Sequence, residues 1–411
     1  MKIIRKPILF FIVTAFSILF FSCDEEETHL KREILFSMPI GKMEDQLFVQ
    51  QYKGIDTSEK NRIFMKDGFI FISNGESSKV MEFNSFGDLV TLFYNKDRNP
   101  APVLLNNEKN ENGDITRAAY SYPLNEPGEI VRTKNGDLLV EDIITEQRRE
   151  FDSEINAELD RIILRFDQDG NLISFLGQEG LGGTPFSYIQ GLYCNDDDEI
   201  IVVTKNSVGW RIFWYTYKSD PLYKIDFRND LLPMDEDSEE LSIENIIPDV
   251  SKRKIYLKID YYTDDGDGAI KFTKSIIYAY NIDTMDYDLK IELPRNVVKS
   301  DQPVIFDKDE HQYLYEFAGV ARGPSFFLLS PYESYSYRLT VLSEDGAVNG
   351  NVLIDFSDQD IFFKDYYVSP EGIFSALVCK EYEADVVWWR SDRLVEESRN
   401  EGFKLFKNAG D

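Results

Sequence analysis

Short apolar runs alternate with polar turns along most of the chain, and the clearest sample lies between Arg62 and Tyr94. A tight turn at Lys66-Asp67-Gly68 leads into an alternating run over 69–73. A polar turn (74–78), a second run (79–83), a turn closing on Gly87 and a third run (89–93) follow. Period-two alternation marks strands with two unlike faces, and turns this short force neighbouring strands antiparallel. Three such strands and the one before them make one blade of a propeller.

The unit recurs. Taking the second residue of each turn as marker, copies stand at Gly68, Gly136, Asp198, Arg253, His311 and Gly372, spaced 55 to 68 residues apart. The following hairpin repeats as well. Residues 79–83 with Gly87-Asp88-Leu89 are matched by 162–166 with Gly170-Asn171-Leu172, and by 338–342 with Gly346-Ala347-Val348. Blade three carries runs at 211–217 and 222–227, and blade four at 275–281 and 289–293. A lone strand at 33–40 is expected to complete the last blade, because closing the ring removes exposed sheet edges. The expected fold is all-β, a six-bladed β-propeller over residues 33–395, with five or seven blades as alternatives. The stretch 330–356 fits either blade five or the outer strands of blade six. Residues 396–411 read as a tail. Three connections look like solvated insertions: a polar excursion after Leu105, a short surface helix over 145–158 and an acidic loop over 234–240.

The N-terminus has another pattern. Lys2, Arg5 and Lys6 precede an apolar stretch, 8–21, too short for a comfortable membrane span. This pattern predicts a signal peptide over residues 1–22. Phe20-Phe21-Ser22-Cys23 resembles a bacterial lipobox of the relaxed spirochaetal kind. That resemblance implies cleavage between Ser22 and Cys23, a diacylglyceryl thioether on Cys23 and an acylated new amine. Several acyl chains anchor stably where one would not. Residues 23–32 would then be an acidic tether opening with Asp24-Glu25-Glu26-Glu27. The expected address is the bacterial cell envelope, on the periplasmic face or the outer surface, with the membrane itself as one partner.

Charge and cysteine content narrow the partners. The formal net charge is −29, and loss of Lys2, Arg5 and Lys6 with the leader takes it to −32. Such a surface repels phosphate backbones, so nucleic acid is not an expected partner. Cys194 and Cys379 each sit in an apolar run and read as buried free thiols, a disulfide between them being the alternative.

Two wider resemblances follow. The passage from Leu172 through Gly177 to Gly180-Leu181-Gly182-Gly183 and Pro185-Phe186 looks like the inter-blade crossing of NHL and TolB-like propellers. Gly41 to Gln46, Phe64 to Gly68, Lys79 to Leu89 and Leu176 to Phe186 resemble an uncharacterised group of spirochaetal lipoproteins. The resemblance spans most of the first half and implies a propeller lipoprotein, with no catalytic residue to carry over.

Catalytic chemistry is sparse. His29 and His311 are the only histidines, which argues against a Ser-His-Asp triad or a histidine-rich zinc site. Asp264-Asp265-Gly266-Asp267-Gly268 lacks the spaced ligands and distal glutamate of an EF-hand and reads as an acidic hairpin tip. No catalytic, metal or cofactor residue is assigned. Of the adjacent Trp388 and Trp389, one is expected in the core, with Trp389 the candidate for a partner surface. Tyr332, Tyr335 and Tyr337 are further candidates, since loop aromatics need a reason to be there. The expected function is a non-enzymatic scaffold binding an envelope protein or a small ligand. The alternatives are a lactonase- or glycosidase-like propeller hydrolase and a TolB-like assembly scaffold.

Overall fold

The computed structural model describes residues 28–50, 59–105, 108–109, 115–177, 184–236, 238–264, 266, 270–298, 311–332, 336–356 and 361–395. Its strands gather into six small sheets around one axis, a six-bladed β-propeller. From the axis outward, blade 1 holds Asn61–Lys66, Phe69–Asn74, Lys79–Phe83 and Leu89–Tyr94. Blade 2 holds Ile130–Arg132, Leu138–Ile143, Arg161–Phe166 and Leu172–Leu176. Blade 3 has Ile189–Cys194, Ile200–Asn206, Gly209–Tyr215 and Pro221–Arg228; blade 4 has Glu240–Pro248, Lys254–Asp264, Ile270–Asn281 and Asp286–Glu292. Blade 5 has Glu316–Ala321, Ser325–Pro331, Ser336–Ser343 and Val348–Asp355. Blade 6 has Phe363–Val368, Phe374–Cys379 and Glu383–Trp389, and takes its outermost strand, Arg32–Pro39, from the chain's other end. That strand closes the ring as expected. Just before it, Leu30 N donates to Leu353 O and Leu353 N to Thr28 O, both at 2.9 Å, which stitches residues 28–30 to the outer edge of blade 5.

One turn is built seven times among the described residues, at 84–88, 133–137, 167–171, 195–199, 216–220, 343–347 and 369–373. In each, the first N–H donates to the fifth carbonyl and the fourth N–H to the first carbonyl. The fourth residue lies in the left-handed region, from Asp198 at φ 57° to Gly372 at φ 94°. The first residue is Asn, Thr, Asp or Ser. In six of the seven its side-chain oxygen accepts a backbone N–H further along the turn. This is the three-residue hairpin with a left-handed closing residue, and short polar side chains stabilise it locally.

The core lies between blades, where each sheet face packs on its neighbour. Aromatic pairs bridge the seams: Phe93 to Phe166 at 4.7 Å, Phe186 to Phe213 at 4.9 Å and Phe227 to Tyr280 at 5.2 Å. Tyr256 meets Phe326 at 4.9 Å, Phe356 meets Trp389 at 5.3 Å, and Phe36 meets Phe83 at 5.0 Å. Each such pair contributes about 0.5–1.5 kcal/mol beyond its buried area. The high aromatic content of the chain is used here.

Four sequence expectations need correction or completion. The turn of blade 5 is not at His311. Residues His311–Gln312 pair instead with Val297–Val298, outside the blade, and the turn between the first two strands lies at Arg322-Gly323. Gly323, at φ 96°, with Pro324 behind it, was the stronger breaker signal. The expected helix over 145–158 is a single 3₁₀ turn, Glu146–Arg148, followed by the hairpin Glu150–Asp152/Ala157–Leu159. Arg149 and Glu150 lead straight into that hairpin, so no periodic apolar face forms. The excursion after Leu105 returns as Ile115–Ser121, which pairs parallel to Leu89–Tyr94 and extends blade 1. The ambiguous stretch 330–356 belongs to blade 5.

Candidate functional site

A cavity of about 780 Å³ runs along the propeller axis, lined by all six innermost strands. Arg62, Glu129, Gln190, Asn245, Glu316 and Asp365, one from each blade, are among its lining residues. Three innermost strands shift register here, at Gln190, at Glu244 and at Ala318. A bulge adds an unpaired residue and re-aims its side chain, so these strands can present polar groups without breaking the packing of the blade behind.

Arg62 organises the wall between blades 1, 2 and 6. Its Nε donates to Glu129 Oε1 at 2.7 Å, and its Nη1 lies 3.3 Å from Asp365 Oδ1. Asp365 Oδ2 also accepts the Ile63 N–H at 2.8 Å. Behind Glu129, Lys60 lies 3.3 Å from Glu129 and 2.8 Å from Glu141, and Arg161 is 3.2 Å from Glu141. Lys60 also donates to the Ile189 carbonyl of blade 3 and sits 4.4 Å from the Tyr188 ring centre. Lys60 is 5% exposed and Glu141 0%, so this pairing joins three blades without water.

The carboxylates of the cavity, and Glu244 behind its wall, are held in different states. Burial raises Glu129, but Arg62 and Lys60 outweigh it and hold the group below its usual range. Burial pushes Asp365 up to about 6 against the pull of Arg62 and the Ile63 N–H. Glu244 accepts Phe317 N–H at 3.1 Å and has Lys258 at 3.7 Å, yet burial pushes it up to about 7. Glu316, open to the cavity but walled in by protein, is also raised by burial, with Lys364 and Lys258 opposing. Burial raises the phenols of Tyr193 and Tyr367 too.

The far end is crossed by a second network. Asp196 of blade 3 binds Arg322 of blade 5 and lies 3.4 Å from Lys134 of blade 2, while its N–H donates to Val250 O of blade 4 at 2.8 Å. Arg322 N donates to Pro370 O of blade 6 at 2.8 Å. Five blades therefore meet through the turns that follow their innermost strands.

The residues singled out from sequence lie elsewhere. Trp389 is 0% exposed, packed with Phe356 and Phe374, and cannot form a partner surface; the half-buried member of the pair is Trp388, whose indole donates to Glu33 at 3.0 Å. The alternation had the two tryptophans reversed: Trp389 points into the seam with blade 5, where Phe356 covers it, and Trp388 lies opposite Glu33 on the other face. Tyr337 lies on the third strand of blade 5 and is engaged by Lys364, 3.7 Å above its ring. Tyr332 holds Arg338 at 4.6 Å. Cys194 and Cys379 are free thiols on blades 3 and 6, and burial pushes the Cys194 thiol up to about 12. Ser22, Cys23, Tyr335, the leader, the residues at 24–27 and the tail lie outside the described residues, as does most of the acidic tip at 264–268. Among the described residues, no three His, Cys, Asp or Glu side chains are placed to hold a metal ion, and no helix is long and apolar enough to cross a membrane.

Sequence reasoning passed over the axial residues. One signal was available: a charge set inside an apolar strand, as Arg62 in NRIFMK, Glu244 in LSIENIIP and Asp365 in FKDYYV. Such local conflicts with the strand pattern tend to mark sites.

No protein-family model matches the chain, and no curated protein matches it. Among solved structures it is similar to a protein of unknown function from Bacteroides caccae, at 10% identity over 77% of this chain and 93% of that one, with a TM-score of 0.36. It is similar to a luciferin-regenerating enzyme at 9% identity over 80% and 90%, TM-score 0.36. The β-propeller domain of the trilobed protease from Pyrococcus furiosus matches at 9% identity over 81% and 94%, TM-score 0.37. Similarity at this level assigns no activity.

Proposed function

We propose that this chain is a binding propeller that takes a small polar ligand into its axial cavity and breaks no bond in it. The observation that carries this reading is the cavity itself, about 780 Å³ and lined with charge from every blade. Its volume falls within the range of small-molecule sites, roughly 300–1,000 Å³. A screen of small polar compounds by thermal shift tests it. A stabilising ligand should lose its effect in Gln190→Trp, which fills the cavity at a residue on the bulge. A ligand indifferent to that substitution would remove the cavity from the proposal.

The second reading, a lactonase- or glycosidase-like hydrolase, has one observation in its favour. Glu129 and Asp365 share Arg62 in the cavity wall, and Glu129 is held ionised while Asp365 is pushed toward the neutral form, the division of labour that acid–base pairs use. Turnover of the bound compound by purified protein would select this reading over the first.

The proposal includes the anchor. Lipidated at Cys23, the chain would stand at the cell envelope as a scaffold for a small ligand or an envelope protein. Residues 28–30 are fixed to blade 5, and only four residues separate Cys23 from Thr28. Five residue steps reach at most about 18 Å, so the rim at blades 5 and 6 would lie close to the bilayer. Mass spectrometry of the membrane-extracted protein should find acylated Cys23 as the first residue. An unmodified, uncleaved N-terminus would end the anchoring proposal.

A further inference from the structure

The turns that follow the innermost strands reach across the far mouth of the axial cavity. Asp196 lies just past the end of blade 3's innermost strand, Ile189–Cys194, and Arg322 directly follows that of blade 5, Glu316–Ala321. Their ion pair joins two blades that are not neighbours, since blade 4 stands between them, so it spans part of the opening. A second pair follows it. Lys134, beyond blade 2's innermost strand, lies 3.4 Å from the Asp196 carboxylate and donates to the Asp196 carbonyl. On the other side, Arg322 Nε lies 3.9 Å from Glu371 of blade 6. Lys134, Asp196, Arg322 and Glu371 all line the cavity. Their side chains are between 26% and 64% exposed, so these pairs are wet, individually weak and screened by salt. The backbones beneath are fixed separately: Asp196 N donates to Val250 O and Arg322 N to Pro370 O, each at 2.8 Å. Firm backbones with weakly paired side chains make a fastening that can open without unfolding a blade. At the opposite end, where the innermost strands begin, Glu316 lines the cavity and is exposed, so solvent reaches the cavity there. Cys194, the last residue of its strand, lines the cavity just inside Asp196.

We propose that Asp196, held by Arg322 and Lys134, is a salt-labile latch over the far mouth of the axial cavity. Closed, it leaves the cavity one working entrance, at the end where the innermost strands begin. Open, it lets small solutes pass at the turn end as well. Two exposed pairs hold with modest strength, so the two forms exchange and the closed one prevails at low ionic strength. The latch governs access alone and holds whatever ligand the cavity takes.

The test uses the native thiols as reporters. The purified full chain in detergent is labelled at pH 8 with N-ethylmaleimide, a neutral reagent, and the peptides of Cys194 and Cys379 are followed by mass spectrometry. Cys379, 0% exposed on blade 6, reports any general loosening. Asp196→Asn removes the latch charge and keeps the backbone bond to Val250. It should speed labelling of Cys194 about tenfold, near the ceiling for two exposed pairs, and leave Cys379 unchanged. The charges that act on the Cys194 thiol come from Asp198, Lys66, Arg165 and Asp137, so this substitution leaves its intrinsic reactivity alone. Arg322→Gln should act in the same direction, and the double variant should add little to either single one. Raising salt from about 0.05 M to about 0.5 M should speed the native chain about threefold and Asp196→Asn hardly at all. Cys194 labelling that ignores Asp196→Asn overturns the inference. So does a parallel rise at Cys379, which marks a looser fold and not an opened mouth. A compound screen that finds no ligand would end the binding reading and leave this test as it stands.

Discussion

The turns at the far end of the ring and the wall of the axial cavity are built on opposite plans. Each of the seven repeated turns closes on itself: donor, acceptor and left-handed residue lie within five consecutive positions. In the cavity wall almost no group is satisfied by its own blade. Arg62 depends on blades 2 and 6, Lys60 on blades 2 and 3, and Glu244 on blade 5. The difference teaches where stability and function separate. Turns whose own hydrogen bonds close locally can be repeated from blade to blade and build the ring, and those at 133–137, 195–199 and 369–373 then also link to other blades. A wall whose members depend on other blades exists only once the ring has closed, and can carry a pattern that no single blade repeats.

The largest test of that contrast is Lys60→Ala. It leaves Glu141 buried with Arg161 alone and strips Glu129 of its second cation. Removing one partner of a buried pair costs about 3–5 kcal/mol, so chemical denaturation should show a loss of that size. A loss below about 1 kcal/mol would mean that the wall is solvated like an exposed surface.

The next test separates local from tertiary cost within the turns. Gly170 and Gly68 have φ of 77° and 79°, but a Cβ on Gly170 would sit 2.3 Å from the Tyr120 ring, and one on Gly68 meets nothing within 4 Å. Gly68→Ala should cost only the left-handed penalty, about 1–2 kcal/mol. Gly170→Ala should add a packing cost of about 1–3 kcal/mol. Equal midpoints in urea for the two variants would show that the turns are as self-contained in packing as in hydrogen bonding.

The carboxyls in and behind the wall should then reveal themselves through pH. Carboxyls in an unfolded chain ionise near 4, whereas Glu244 is pushed up to about 7 and Asp365 to about 6. Between about pH 4 and 7 the folded chain holds protons that the unfolded chain releases, so stability falls as pH rises through that window. Glu244 faces Lys258, Asp260 and Glu316, and Asp365 faces Arg62, Glu129 and Glu316. Glu244→Gln keeps the acceptor for Phe317 N–H and should remove about 1–2 kcal/mol of the difference between pH 5 and pH 8, allowing for partial solvent access. An unchanged slope would clear Glu244 of the effect.

The smallest expected effect is a gain. Met285 is 72% exposed and left-handed at φ 55°, a conformation that suits glycine. Met285→Gly should raise stability by about 0.5–1 kcal/mol in the same urea titration, and a loss would show that this hairpin is held by its side chain.

Much of the ring was legible because its signals are short-range. Gly136 after Thr133, Gly170 after Asp167 and Gly372 after Ser369 each state a turn within five letters. Where the letters were ambiguous the reading slipped. His311-Gln312-Tyr313 reads as a turn and strand at the expected spacing although Gly323-Pro324 is the stronger breaker, and its pairing with Val297–Val298 removes it from blade 5. Trp388 and Trp389 must face opposite ways, but which one is covered depends on the neighbouring blade, where Phe356 packs on Trp389.

The sequence by itself determined the strands, most of their turns and the strand that closes the ring, because alternation and left-handed turn residues act between near neighbours. Tertiary structure alone decided the axial cavity. Arg62, Glu129, Glu316 and Asp365 are scattered over some three hundred positions. They acquire a common environment, and their altered affinity for protons, only when six sheets exclude water from a shared axis.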